Sequence, residues 1–492
     1  MLKRIIYSIH RVLGTFLSIL FLMWFLSGFV MIYHNFPRVT PQDRNRATGV
    51  LSANMPEMGE ILNRIYPDTL IQRVNLKITS YGQTVFEIST QDSNYNLVAD
   101  SSEFIRKVSY EQIETYAQKW CSSDIVKVDT LNEVDQWIPF NRLMKDMPIY
   151  KFYFGDSEKH QLYISSHTGE ALQFTDKDSR FWAWLGAIPH WVYFTSLRQD
   201  GELWNTTVIW LSGFGSIMCL MGFGLGIYML VKQYRKNKKL GTPYRKFSYK
   251  WHHVLGFVFG IFIFTFVFSG MMSLADIPDW IIKDSKPSGK RGMFGSSSIL
   301  KQKEYQLDYR AVLLYYSNDV KAIEWTGFDK TPIYKVVTTD TIYVLDASAN
   351  NITPLLLTEQ VVKDKYTSQH KEPITLSVMT EYDNYYVDRK NKLPLPVYKV
   401  DVSDADKTTY YVNPKTGDVR SFTTKSRVHK WMYQGLHSFN FRFLAEHPIL
   451  WNIVMWVTMI GGTLVSLSGV LLSYKYLRRK FKRLTRKNCK KE

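Results

Sequence analysis

The stretch His10-Arg11-Val12-Leu13-Gly14, which opens an apolar run, returns as His252-His253-Val254-Leu255-Gly256 at the start of another. Continued without a gap, the alignment sets Ser27-Gly28 on Ser269-Gly270. Further along, Tyr150-Lys151 falls on Tyr398-Lys399, Asp156 on Asp404, Tyr163 on Tyr411, and Thr168-Gly169-Glu170 on Thr416-Gly417-Asp418. Leu203-Trp204-Asn205 then matches Leu450-Trp451-Asn452, and the same offset brings His190 onto His437. The order apolar helix, polar domain, apolar helix thus occurs twice, and matches recurring in one order indicate a tandem duplication.

The first apolar run, Val12 to Tyr33, has 22 residues, enough for a bilayer core that needs ~20. It ends in Tyr33-His34-Asn35-Phe36-Pro37 rather than in the small residues of a cleavage site. An uncleaved anchor is expected, not a signal peptide. Further spans are read near Leu203–Val231, Val254–Ala275 and Ile449–Tyr474, with Trp204, Trp251, Trp451 and Tyr474 as interfacial aromatics.

The formal charge of +18 comes from 62 basic and 44 acidic residues, and its distribution decides what it means. Two cations sit at Lys3 and Arg4, eight between Lys232 and Lys250, and ten between Lys475 and Lys491, against Glu492 alone. The rest of the chain is close to neutral. Cations confined to short flanks of apolar segments follow the positive-inside pattern of membrane proteins, whereas a nucleic-acid partner would call for a basic patch on a folded domain. No nucleic acid is expected. Both termini and the basic loop are placed in the cytoplasm.

The chain then divides into a first span within 1–34, an exterior domain over 35–200 ending in an interfacial segment, and a second span over 201–231. A basic cytoplasmic loop follows at 232–250, with a third span at 251–276. The second exterior domain covers 277–447, the fourth span 448–475 and a basic tail 476–492. Alternating runs such as Val85-Phe86-Glu87-Ile88-Ser89 and Ile342-Tyr343-Val344-Leu345-Asp346 make the exterior segments α+β or β-rich. Cys121, Cys219 and Cys489 stand far apart, so no disulfide framework or C-x-x-C site is expected. The glycines Gly213, Gly215, Gly222, Gly224 and Gly226 lie inside a span without a preceding strand, which excludes a dinucleotide loop. Close helix packing, or room for a macrocycle, is the better account.

The hairpins Tyr163 to Glu170 and Tyr411 to Asp418, of pattern Y-x-x-x-x-T-G-[ED], resemble a PepSY domain. Their placement between helices that begin H-[RH]-V-L-G and end S-G resembles the PepSY-associated transmembrane family over nearly the whole chain. The resemblance implies an α-helical integral membrane protein with four transmembrane helices and two α+β PepSY-like exterior domains. Because the family includes haem-binding ferric-siderophore reductases of the bacterial inner membrane, it also implies a periplasmic location for those domains.

Imidazole suits haem iron, and an ionisable residue in a bilayer is a functional candidate. His10 and His252 open equivalent helices on the cytoplasmic side and are candidate axial ligands of one haem b. His253 is the neighbour that can replace His252, since adjacent helical residues point about 100° apart. His190 and His437 form the equivalent exterior pair, candidates for a second haem b. His34 ends the first span, 24 residues or roughly 36 Å from His10, so it belongs on the exterior side. Its repeat partner is Asp276, which breaks the symmetry; it stands as an alternative axial ligand or as a polar group near a propionate. No catalytic side chain is singled out.

The function expected is a transmembrane electron conduit that reduces a ferric chelate of siderophore type, fed by a quinol or a cytoplasmic reductase. Two rivals are a membrane-anchored module that binds or restrains an envelope protein or peptide, and a component of iron or siderophore transport.

Overall fold

The computed structural model describes residues 2–65, 71–90, 93–100, 104–105, 107–283, 305–317, 319–390 and 392–488. Cys489 and the tail residues Lys490, Lys491 and Glu492 lie outside the described residues. Four helices are long and apolar enough to cross a membrane. They are the first span Leu2–Met31, the second Gly201–Asn237, the third Phe247–Met272 and the fourth Pro448–Asn488. The second and fourth run on as helix into the basic flanks, because Lys and Arg propagate a helix well once it has left the apolar core.

The first and third spans each pack on the second and the fourth, which closes a four-helix ring. Phe21, Phe25, Met218, Ile263, Phe266 and Met459 fill its interior. Glycine permits the close approaches: a Cβ on Gly215 would meet Phe21 at 2.9 Å and Val267 at 3.0 Å. In a bilayer, packing of this kind holds helices together, since lipid is as apolar as the side chains.

Three antiparallel sheets stand at one end of the bundle. The two smaller ones are meanders of four strands each. One contains Ile125–Leu131, Ile149–Phe154, Gln161–Ser165 and Ala171–Thr175. The other contains Ile374–Met379, Val397–Val402, Thr409–Val412 and Val419–Phe422. In both, the Thr-Gly-acid turn has its glycine at positive φ, 69° at Gly169 and 70° at Gly417, a conformation that costs glycine least. The third sheet has seven strands and joins the two halves of the chain. Ile71–Ile78, between the first and second spans, pairs with Ala322–Phe328, between the third and fourth, in the register Val74 to Trp325 and Leu76 to Ile323. Leu76, Phe86, Ile323, Trp325 and Val336 form one core across that seam. The two segments that lie between the spans are therefore joined through one sheet and one core.

A polar triad recurs in the two meanders. The Tyr163 hydroxyl donates to Asp135 at 2.8 Å and the Lys151 ammonium to the same carboxylate at 3.0 Å. In the other meander the Tyr411 hydroxyl donates to Asp383 at 2.7 Å, with Lys399 at 3.4 Å. Each aspartate sits in the loop between the first two strands, so the triad ties that loop to the sheet. Burial pushes the Asp383 carboxyl up, but the Tyr411 hydroxyl, the backbone N–H groups of Tyr386 and Tyr385, and Lys399 outweigh it and leave it below the usual range.

Replacing Tyr411 by Phe removes one donor and should cost about 1–2 kcal/mol, seen as a lower Tm of the purified protein in detergent. Since the folded pKa of Asp383 lies below an unfolded value near 3.9, its contribution is complete above that pH and is lost as pH falls through the folded value. Asp383→Asn should accordingly flatten the acid limb of the stability curve, and an unchanged limb would argue against the triad.

Candidate functional site

Two short helical turns carry His190 and His437. Ahead of each lies a capped helix. Asp176 accepts from the N–H of Ser179 at the start of Lys177–Leu185, and Thr423 accepts from Ser426 at the start of Thr424–Lys430. Gly186 then lets the chain come down on the first span, where a Cβ would meet Val30 at 2.7 Å. Two residues after each histidine the chain turns at a left-handed residue that is not glycine, Val192 (φ 55°) and Phe439 (φ 48°). That conformation is costly for a branched or bulky side chain and must be held by its surroundings. Part of the hold comes from the Leu-Trp-Asn motifs. Trp204 Nε1 donates to the Trp191 carbonyl at 2.8 Å, and Trp451 Nε1 to the Ser438 carbonyl at 2.7 Å. The 13-residue spacing thus measures the reach from each histidine turn to the following span.

Each of the four spans receives one imidazole. His190 Nδ1 lies 3.2 Å from both the Trp24 carbonyl and the Ser27 hydroxyl of the first span. His437 Nδ1 lies 3.2 Å from the Phe266 carbonyl and 3.0 Å from the Ser269 hydroxyl of the third. His252 Nδ1 lies 2.8 Å from the Ser468 hydroxyl of the fourth span, and that hydroxyl donates to the Val465 carbonyl. His10 Nδ1 lies 3.1 Å from the Met218 carbonyl of the second. The acceptor carbonyl is always six or more positions along a span and three residues before Ser27, Ser269, Ser468 or, at the His10 site, Met221. Glycine follows each of these residues, at Gly28, Gly270, Gly469 and Gly222, and each faces the imidazole bound there. A Cβ on Gly222 would stand 2.5 Å from His10 Cε1.

Carbonyl oxygens only accept, and the three serines spend their protons on carbonyls of their own helices. Nδ1 therefore carries the proton in every ring, which leaves the lone pair on Nε2. No hydrogen bond reaches any of the four Nε2 atoms among the described residues. Metal-bound histidines are oriented in this way, by an acceptor on the nitrogen that does not ligate.

The rings meet in pairs. His10 and His252 have centroids 6.4 Å apart, and His190 and His437 6.1 Å. Two imidazoles on opposite sides of one metal, at about 2.0–2.1 Å each and with roughly 1.1 Å from nitrogen to ring centre, have centres about 6.3 Å apart. The pairs are separated by 17 helical residues on the first span (His10 to Ser27), or about 26 Å, close to the thickness of a hydrocarbon core. Around His190 and His437 lies a cavity of about 530 Å³, walled by Trp24, Phe25, Val208, Phe266, Trp451 and Met459 among others.

His34 and His253 stand outside these pairs. His34 stacks on Trp182 at 4.3 Å, and no second imidazole ring pairs with it among the described residues. His253 turns its Nε2 to the Gly226 carbonyl at 3.3 Å and its ring edge to Tyr244. Another group of ligand-type side chains, Cys121, Asp156 and His160, has its ligand atoms within 4.8 Å of one another. There Asp156 already closes a turn, accepting from the N–H groups of Glu158 and His160 and from His160 Nδ1, as Asp404 closes the matching turn through Thr408. The Ser468-Gly469 and Met221-Gly222 receptors escape a reading of the helix starts, although the offset that aligns Leu203 with Leu450 also aligns Gly222 with Gly469.

Residues 363–423 match the PepSY family, described as peptidase propeptide and YPEB domain. The match covers the second four-stranded meander and most of the helix before it, so the chain is a protein of four membrane-type helices that carries a PepSY domain. No curated protein matches the chain.

Gly222→Ala should push the His10 ring off the Met218 carbonyl and cost about 1–3 kcal/mol through overpacking. Gly224→Ala, two residues on and with open space at its Cβ, should leave the Tm unchanged. Equal Tm values for the two variants would show that the His10 ring is not held against Gly222.

Proposed function

We propose that the chain is a duplicated helix–PepSY–helix protein that binds two haem b groups and passes electrons across the bacterial inner membrane to a ferric chelate on the periplasmic side. The observation that carries this reading is the double pair of facing histidines, each with its Nδ1 proton on a helix carbonyl or serine and its Nε2 free. The donor set fits haem: two neutral imidazoles per site, a glycine beside each ring where a side chain would crowd a flat ligand, and apolar walls around one pair. His10 with His252 would hold one group, and His190 with His437 the other. Bound there, haem supplies a one-electron couple.

The chain's own contributions are orientation and exclusion of water. The helix carbonyls select one tautomer and hold each ring, which leaves Nε2 as the nitrogen that would meet iron. Leu17, Phe21 and Ile263 pack in the bundle between the pairs, giving an apolar interior with little to reorganise when charge moves. On this reading the cytoplasmic pair takes electrons from a quinol or a reductase, and the periplasmic pair delivers one electron to ferric iron. The ferrous product binds hard oxygen ligands less tightly and leaves its chelator.

Haem content by the pyridine haemochrome method should be two per chain in the wild type. His10→Ala and His252→Ala should each remove the same single haem, and His190→Ala and His437→Ala the other. Loss of both haems from any one change would mean that the pairs are wrongly assigned, and a haem-free wild type from a haem-sufficient host would favour the anchored PepSY module.

A further inference from the structure

The cavity around His190 and His437 has one charged side chain in its wall apart from the histidines, Arg389, and among the described residues its guanidinium makes no hydrogen bond or close ion pair. Arg389 comes from the loop between the first two strands of the second meander, which descends onto the bundle. Its guanidinium lies over the Trp451 ring at 3.6 Å to the centroid. Trp451 is itself 3% exposed and fixed by its bond to the Ser438 carbonyl, so the stacked guanidinium rests on a rigid plane with its N–H edge free. No hydrogen bond or ion pair reaches that guanidinium among the described residues. The neighbouring carboxylate of Asp388 accepts from the backbone N–H groups of Lys390 and Lys392, and its charge offsets part of the cost of burying the guanidinium. No Asp or Glu lines the cavity.

A partly buried guanidinium with no hydrogen-bond acceptor among the described residues, beside an apolar cavity, is an incomplete ion pair, because burying a cation without a hydrogen-bonded counter-ion is costly. Planar, fork-shaped donors match a carboxylate in two-point fashion. The loop is also set firmly: the Tyr386 hydroxyl donates to the Pro394 carbonyl at 2.9 Å, the Tyr382 hydroxyl to Leu393 at 2.7 Å, and Lys430 reaches the Asn384 carbonyl. The first meander has no counterpart, since the aligned position is Asn141.

We infer that the occupant of this cavity carries a carboxylate and that Arg389 binds it, which on the reading above is a propionate of the periplasmic haem. Arg389 is a positioning residue that fixes the macrocycle's rotation between the two imidazoles. It also places a positive charge near the iron, which favours the reduced state.

The test is a redox titration of the full-length protein in detergent, with the periplasmic centre identified as the one missing from His437→Ala. Arg389→Gln should shift the reduction equilibrium of that centre about tenfold toward the oxidised form, 59 mV for one electron, and leave the other centre unchanged. Arg389→Lys keeps the charge without the planar fork and should recover most of the shift. A wild type with two haems in which Arg389→Gln leaves both potentials in place would overturn the inference and leave the conduit standing. If instead the potentials hold while KM for ferric citrate rises, the carboxylate belongs to the chelate and the propionate assignment is wrong. A wild type without haem would remove the conduit reading and this inference together.

Discussion

An imidazole buried among helices needs an acceptor for its N–H, and a helix in a bilayer has spent nearly all of its carbonyls on its own ladder. The bundle meets this need four times in one way. A carbonyl takes a shared hydrogen bond, a serine three residues on strengthens three of the four sites, and the next residue is glycine, so that the Nδ1–Cε1 edge of the ring comes close to the helix. From that arrangement follow the tautomer, the free Nε2 and the pairing of the rings across the bundle. It also decides which residues in the spans are small. Gly28, Gly222, Gly270 and Gly469 answer to imidazoles, whereas Gly215 answers to the neighbouring Phe21 and Val267.

The sheet-bearing part of the fold holds two of those imidazoles in place. Each meander ends in a capped helix that leads to a histidine turn, and each inter-strand loop reaches back to the same turn. Gln136 donates to the Tyr193 carbonyl at 2.6 Å, and Lys430 bridges the Asn384 and Asn440 carbonyls. The strained residues Val192 and Phe439 sit between these ties, where the surroundings can sustain an unfavourable φ. The seven-stranded sheet then joins the two halves, so that the positions of His190 and His437 are set by one rigid unit instead of by two independent domains.

Much of this was legible in the chain. The repeated His-x-Val-Leu-Gly starts, the Leu-Trp-Asn motifs and the Thr-Gly-acid turns brought the four histidines out as two equivalent pairs, because equivalent positions on repeated helices fall at equivalent depths. The break in symmetry at His34, opposite Asp276, is matched in space by its stacking on Trp182 away from the pairs. Less could be read where the contact joins residues with no periodic signal. The pairing of Val74 with Trp325 crosses some 250 positions between strands that look alike. Arg389 sits in a loop whose course depends on the Asp383 triad. The Met221-Gly222 receptor hides because methionine replaces the serine that marks the other three.

The spin state of the iron in the proposed haems would probe the central claim, that each site closes on two imidazoles, more directly than any other property. Electron paramagnetic resonance of the oxidised, purified protein should show two low-spin ferric centres and no high-spin signal, because on the proposed reading histidine nitrogens would take both axial positions of each haem. A high-spin ferric signal from either centre in the intact wild type would contradict the account, as would the lack of any haem signal.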